Sequence, residues 1–298
     1  GAGGEHDAIV CQPGRDHDPS SRPASTGGPA PAGLTGPCMM RAVFATPADG
    51  VDPGMRPITW IIYQPYKWLV LIPLICVWTL VMAAVTFMLI AVVGTSRASR
   101  LAGTAWARVI AWLTPMGVRV HERDNLDPAR SYVIVSNHES HYDVIVLYGW
   151  LGVDFRWVMK QELRNVPGLG PACAALGHIF IDRSDRQAAL ASLNAARERI
   201  TGGTSVLFFP EGTRSPTTEL LPFKKGAFRF ALDSGLPILP VAIRGTREVL
   251  PPRTADFFPG RARMRILPPI EPRPDDTTES LLQRTRQAIR AGLDTHAD

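Results

Sequence analysis

Between Trp68 and Val93 the chain runs for 26 residues without a charged side chain. As a helix this stretch measures about 39 Å, longer than the roughly 30 Å of hydrocarbon in a bilayer. A cleaved leader is the wrong description, because the run is too long and 67 residues precede it. The sequence therefore predicts a membrane segment, with a buried core helix as the competing reading. Pro73 leaves a tilted span, a broken helix and a re-entrant hairpin open. Arg97, Arg100 and Arg108 follow the run, whereas Arg56 and Lys67 precede it. That bias places the C-terminal domain on the cytoplasmic face of the inner membrane. Residues 105–113, AWARVIAWL, set Trp106, Val109, Ile110 and Leu113 at helical spacing. Such a helix suits either the membrane interface or packing against a following domain.

On either side of this region the composition changes. Residues 1–55 are rich in Gly, Pro, Ala, Ser and Thr, with few large apolar side chains and no periodicity, and are expected to be disordered. Met39, Met40 and Met55 are each conceivable natural starts. Residues 60–114 form the expected membrane-associated helical segment, and 115–298 the expected globular domain. Net charge is +5, and the excess lies in residues 94–298, which carry 27 Lys and Arg against 21 Asp and Glu. Those charges are too interspersed for a nucleic-acid site and suit an anionic membrane surface or a phosphate-bearing ligand. The cysteines, Cys11, Cys38, Cys76 and Cys173, have neither zinc spacing nor the density of a disulfide scaffold, which points to a reducing compartment and no metal.

Beyond residue 115 short apolar runs alternate with amphipathic helical patterns, the signature of an α/β domain. Strands are predicted at 132–135, 156–159, 178–181, 205–209 and 238–243. Helices are predicted from Asp143 onward, over 186–200 and over 226–233 with Gly235 as the stop. A last helix runs through Leu281, Leu282, Ile289 and Leu293, with Asp276 and Glu279 as its N-cap pair.

Three strand ends carry chemistry. The first strand runs into Asn137-His138-Glu139-Ser140-His141-Tyr142-Asp143. An imidazole removes a proton from a hydroxyl when one nitrogen faces that hydroxyl and a carboxylate holds the other, and Asp143 is placed to fold back onto His138. Taken alone, such a pair is more often structural than catalytic. Glu139 and His141 receive no role. The second end is Gly177-His178-Ile179-Phe180-Ile181-Asp182-Arg183, and the third is Phe209-Pro210-Glu211-Gly212-Thr213-Arg214-Ser215. Each delivers an arginine, and two converging guanidinium groups would clamp a phosphate. Gly212 would bring backbone N–H groups close to ligand oxygens. Read singly, each arginine is equally a surface charge.

Jointly, the forms NHxxxxD, GxxFIDR and FPEGTRS, followed by Leu236-Pro237-Ile238-Leu239-Pro240-Val241-Ala242-Ile243, resemble the ordered motifs of the glycerolipid acyltransferase family, in particular its bacterial 1-acyl-sn-glycerol-3-phosphate acyltransferases. Lys160 in MKQEL, Pro167-Gly168 and FKKGAF at 223–228 extend the similarity over roughly residues 60–270. The resemblance implies a mixed, largely parallel sheet flanked by helices. It implies transfer of a fatty acyl group from acyl-CoA or acyl-carrier protein, a co-substrate rather than a cofactor, to lysophosphatidic acid. His138 and Asp143 would be catalytic. Asn137, Arg183, Glu211, Gly212, Thr213, Arg214, Lys160 and Lys224 would bind substrate, and residues 236–243 would line the acyl chain or support the site. Other acceptors, namely glycerol 3-phosphate, another lysophospholipid or a lyso-aminolipid, fit the same motifs. A hydrolase and a non-catalytic acyl-lipid-binding protein are the readings from other classes. The chain lacks GxSxG, so no serine nucleophile is implied.

Overall fold

A computed structural model of the chain describes residues 57–182, 184–197 and 200–295. The expectation for 1–55 falls outside the described residues, as does Arg183.

Helix α1 (Pro57–Tyr66) passes through a π-helical turn at Lys67–Leu71 into α2 (Ile72–Val93). Pro73 lies in the first turn of α2, directly after this wider turn. A proline there donates no hydrogen bond, and a π turn accommodates the gap without breaking the helix. The helical run Ile61–Val93 is 33 residues long, enough to cross a membrane, and only 17% of its most apolar stretch is buried. Leu69 and Val92 stand 76% and 80% exposed, which a soluble core helix does not tolerate. At Gly94, with φ +80°, the chain turns into α3 (Thr95–Leu113). Helix α3 packs against both α2 and α4 (Tyr142–Trp150), burying Ala98, Ala102 and Ala107, and carries Ile110 into the domain core. Packing on the domain therefore accounts for the buried part of its predicted face, while Trp112 stays exposed.

The α/β domain is built on one seven-stranded sheet, ordered β1-β7-β6-β2-β5-β3-β4. Its strands are β1 (Met116–His121), β2 (Val133–Ser136), β3 (Asp154–Lys160), β4 (Ile179–Ile181), β5 (Thr204–Phe208), β6 (Ile238–Arg244) and β7 (Gly260–Ile266). Only the β6–β7 pairing is antiparallel, so the sheet is mixed and mostly parallel, as the resemblance implied. Alternation along the central strands feeds two cores: Ile134, Leu207 and Leu239 point to one face, and Val133, Val135, Val206 and Phe208 to the other. Helix α4 (Tyr142–Trp150) covers the first face with α3. Helices α6 (Arg186–Arg197), α7 (Gly226–Ser234) and α9 (Thr278–Asp294) contribute to the second. The short α5 (Leu169–Ala175) packs on α2, and α8 (Thr246–Val249) follows β6.

Two expectations need amendment. Strands β1 and β7 were not predicted; β7 buries Ala262, Met264 and Ile266 on one face and turns Arg261, Arg263 and Arg265 to the other. The N-cap of α9 is Thr277, not Asp276, and its capping box is completed by Ser280.

Candidate active site

The carboxyl ends of β2, β5 and β6, adjacent in the sheet, bring three connecting segments together. After β2 the chain enters the loop of His138, then α4 begins and presents Asp143 in its first turn. The imidazole Nδ1 lies 2.8 Å from Asp143 Oδ2. That oxygen also accepts hydrogen bonds from the backbone N–H of Glu139 at 2.7 Å and Ser140 at 2.9 Å. The Thr246 hydroxyl at the start of α8 meets the other oxygen, Oδ1. Asp143 is fully buried, so this set of donors is what permits a carboxylate there. The fixed Nδ1 sets the tautomer and leaves Nε2, without a partner among the described residues, as the proton acceptor. Phe209 stacks on the imidazole at 4.0 Å between ring centroids and 16° between planes, and Trp157 meets Phe209 edge-on.

The segment after β5 wraps the histidine loop. Glu211 accepts the N–H of His138 at 2.8 Å through Oε1 and that of Leu221 at 2.9 Å through Oε2. Ser215 N–H donates to the carbonyl of His138 at 2.8 Å. Burial pushes the Glu211 carboxyl up to about 7. Gly212 takes φ +72°, and a Cβ there would sit 2.6 Å from Lys224 Nζ, so the glycine both permits the turn and gives the lysine its bed. Asn137 spends its amide on the backbone of Ile243 in β6, donating to the carbonyl and accepting the N–H, both at 2.8 Å.

These bonds divide the predicted site residues. His138 and Asp143 meet as expected. Asn137 and Glu211 were expected to touch substrate; both are buried with their polar atoms satisfied by backbone, and they hold the histidine loop instead. Of the run 236–243, residues 238–243 are buried in β6 and support the site through Ile243. Thr213 is exposed on the same turn, and Lys160 is exposed at the end of β3, paired with Glu162 at 2.5 Å. Arg214 has no hydrogen-bond acceptor among the described residues. Desolvation and the neighbouring Arg253 both disfavour its charge, while Asp143 favours it. Arg214 lies close enough to both Arg253 and Asp143 to feel their charges, and the two guanidinium groups together suit an anion. Sequence reading missed Arg253, Phe209 and Thr246. Phe209 stands at the head of the FPEGTRS run, whereas neither Arg253 nor Thr246 belongs to any of the recognised motifs.

The apolar helical run reaches the loop that carries Arg253. Lys67 pairs with Asp256 at 2.6 Å, and Phe257 donates its N–H to the Tyr63 hydroxyl at 3.0 Å. The loop that carries Arg253 is thus anchored to the base of the apolar helix.

Residues 117–244 match the Acyltransferase family. Among curated relatives, the chain is 38% identical over 165 residues to the 1-acyl-sn-glycerol-3-phosphate acyltransferase of Saccharomyces cerevisiae, covering 54% of each chain. It is 32% identical over 184 residues to the alpha form of that enzyme from Homo sapiens, covering 60% of this chain and 65% of the relative. The chain thus spans about half to two thirds of the length of these relatives. It shares the fold of the crystal structure of the 1-acyl-sn-glycerophosphate acyltransferase from Thermotoga maritima, with a TM-score of 0.61 and 24% identity over 75% of this chain and 98% of the other.

Proposed function

We propose that the protein acylates lysophosphatidic acid at its sn-2 hydroxyl, using acyl-CoA or acyl-carrier protein as donor, and releases phosphatidic acid. The observation that carries this reading is the dyad: His138 is held at Nδ1 by a buried carboxylate and open at Nε2, beside Arg214. The acceptor hydroxyl gives its proton to Nε2 as its oxygen attacks the thioester carbonyl. The tetrahedral intermediate collapses, the C–S bond breaks, and the thiolate takes the proton back from the imidazolium. Asp143 stabilises that imidazolium and does not itself change protonation. The thioester supplies the activation, so this route calls for no resident cofactor or metal.

Arg214, with Arg253 beside it, takes the acceptor phosphate, and the apolar surface of α1 and α2 keeps the enzyme on the membrane where that acceptor resides. The catalytic domain faces the cytoplasm, in keeping with the arginines after the apolar run. The names of the curated relatives support the acceptor, and the motif resemblance supports the donor class. A panel of acceptors and donors tests the reading: labelled oleoyl-CoA and oleoyl-carrier protein, each with lysophosphatidic acid, glycerol 3-phosphate and other lysophospholipids. Transfer should be fastest to lysophosphatidic acid. Preference for another acceptor would reassign the substrate, and release of free fatty acid alone would make the protein a hydrolase.

A further inference from the structure

Behind the dyad lies a second layer that no motif singles out. Thr246 is fully buried, and its hydroxyl lies between two carboxylates: Asp143 Oδ1 on one side and Glu139 Oε1, at 3.0 Å, on the other. Glu139 is itself only 5% exposed. A hydroxyl owns one hydrogen. If it points to Glu139, Asp143 Oδ1 loses its donor inside a fully buried site, because the backbone N–H groups and the imidazole all serve Oδ2. If it points to Asp143, an ionised Glu139 would face the lone pairs of Thr246 Oγ1. One extra proton resolves both conflicts.

We propose that Thr246 and a protonated Glu139 are positioning residues of the His138–Asp143 dyad, with Glu139 donating to Thr246 Oγ1 and Thr246 donating to Asp143 Oδ1. The result is a directed chain from Glu139 through Thr246 and Asp143 to His138. It fixes the carboxylate at both oxygens while the imidazole gains its charge. The groups that face Glu139 agree with this state. Asp143 from α4 and Glu248 from α8 are negative, and against them stand the Thr246 hydroxyl, the Thr246 amide at 3.1 Å and the Arg247 amide. Burial first, and then the Asp143 charge, push the Glu139 carboxyl up to about 7. Arg247 fastens α8 to the loop after β5 by donating to the Ser215 carbonyl at 3.2 Å, so the second layer is tied to both loops that carry the site.

This inference rests on His138 acting as the base, and its test separates the two. kcat and both KM values are measured for wild type, Thr246→Ser, Thr246→Val, Glu139→Leu and the Glu139→Leu/Thr246→Val double variant. The chain predicts that Thr246→Val lowers kcat about 10-fold or more with each KM within about twofold, and that Thr246→Ser stays within about threefold of wild type. Glu139→Leu, which removes the donor, should lower kcat about threefold or more when Thr246 is present and have no further effect in the Thr246→Val background, because one residue acts through the other. An unchanged kcat in Thr246→Val, or an equal factor for Glu139→Leu in both backgrounds, overturns the proposal. If Thr246→Val does not fold, Thr246→Ala carries the same comparison, since it also removes the hydroxyl, together with the γ-methyl. A wild-type protein that transfers no acyl group sinks the acyltransferase reading instead.

Discussion

Replacing Asp143 by Asn separates the charge of the dyad from its geometry. Oδ2 accepts three hydrogen bonds, from His138 Nδ1, Glu139 N and Ser140 N, while Oδ1 meets Thr246 Oγ1. An asparagine keeps its oxygen on the three-donor side and turns its NH2 toward the Thr246 hydroxyl, which can accept. The imidazole stays in place with the same tautomer, and only the negative charge is lost. Two opposite unit charges about 4 Å apart in a medium of effective dielectric about 20 attract by about 4 kcal/mol. The imidazolium exists only during transfer, so this stabilisation is lost from the transition state and not from the ground state. At about 1.4 kcal/mol per tenfold, kcat should fall about 1,000-fold with little change in either KM. Steady-state transfer from labelled oleoyl-CoA measures it. A kcat within about tenfold of wild type, or a loss confined to KM, would refute the electrostatic role assigned to Asp143.

Arg214→Ala should raise the KM for lysophosphatidic acid about 10- to 100-fold, the worth of one or two charge-assisted hydrogen bonds, and leave the KM for the thioester donor unchanged. A rise for the donor alone would move the phosphate site elsewhere. Asn137→Ala strands a buried N–H and carbonyl of Ile243 and should destabilise the fold by about 2–4 kcal/mol, read as a lower urea midpoint with unchanged slope. His178 accepts the Trp157 N–H at Nδ1 and sits 2.8 Å from the Tyr148 hydroxyl, and burial pushes its pKa down from 6.5 to about 3. The folded state therefore binds fewer protons than the unfolded one between those values. Its stabilising contribution is complete above pH 6.5 and is lost as pH falls, by at most about 1.4 kcal/mol per pH unit. His178→Gln should flatten the loss of stability between pH 7 and pH 5; an unchanged slope would contradict the burial argument.

Local patterns made the central sheet and the dyad legible. Strands β2, β5 and β6 are short apolar runs, and His138 and Asp143 are five residues apart, within reach of one loop and one helical turn. What sequence could not show lies in long-range contacts. Thr246 meets Asp143 across 103 residues, and Asn137 meets Ile243 across 106. In the sequence Glu139 was one more acid on a crowded loop; its significance comes from a hydroxyl delivered by the end of β6. Strand β7 carries a period-two signal in Arg261, Ala262, Arg263, Met264, Arg265 and Ile266, but the arginines hid a strand buried on one face only. Asn137 and Glu211 were read as ligand contacts from their motifs, and only the structure shows that both are buried and hydrogen-bonded to backbone around the histidine loop.

The central claim is that His138 is the base that activates an acceptor hydroxyl for acyl transfer. Its most direct test is the formation of labelled phosphatidic acid from oleoyl-CoA and lysophosphatidic acid by wild type and His138→Ala at matched concentration and matched thermal stability. Wild type should form the product and His138→Ala should not rise above the enzyme-free rate; product formation at near-normal turnover by the folded variant would contradict the account.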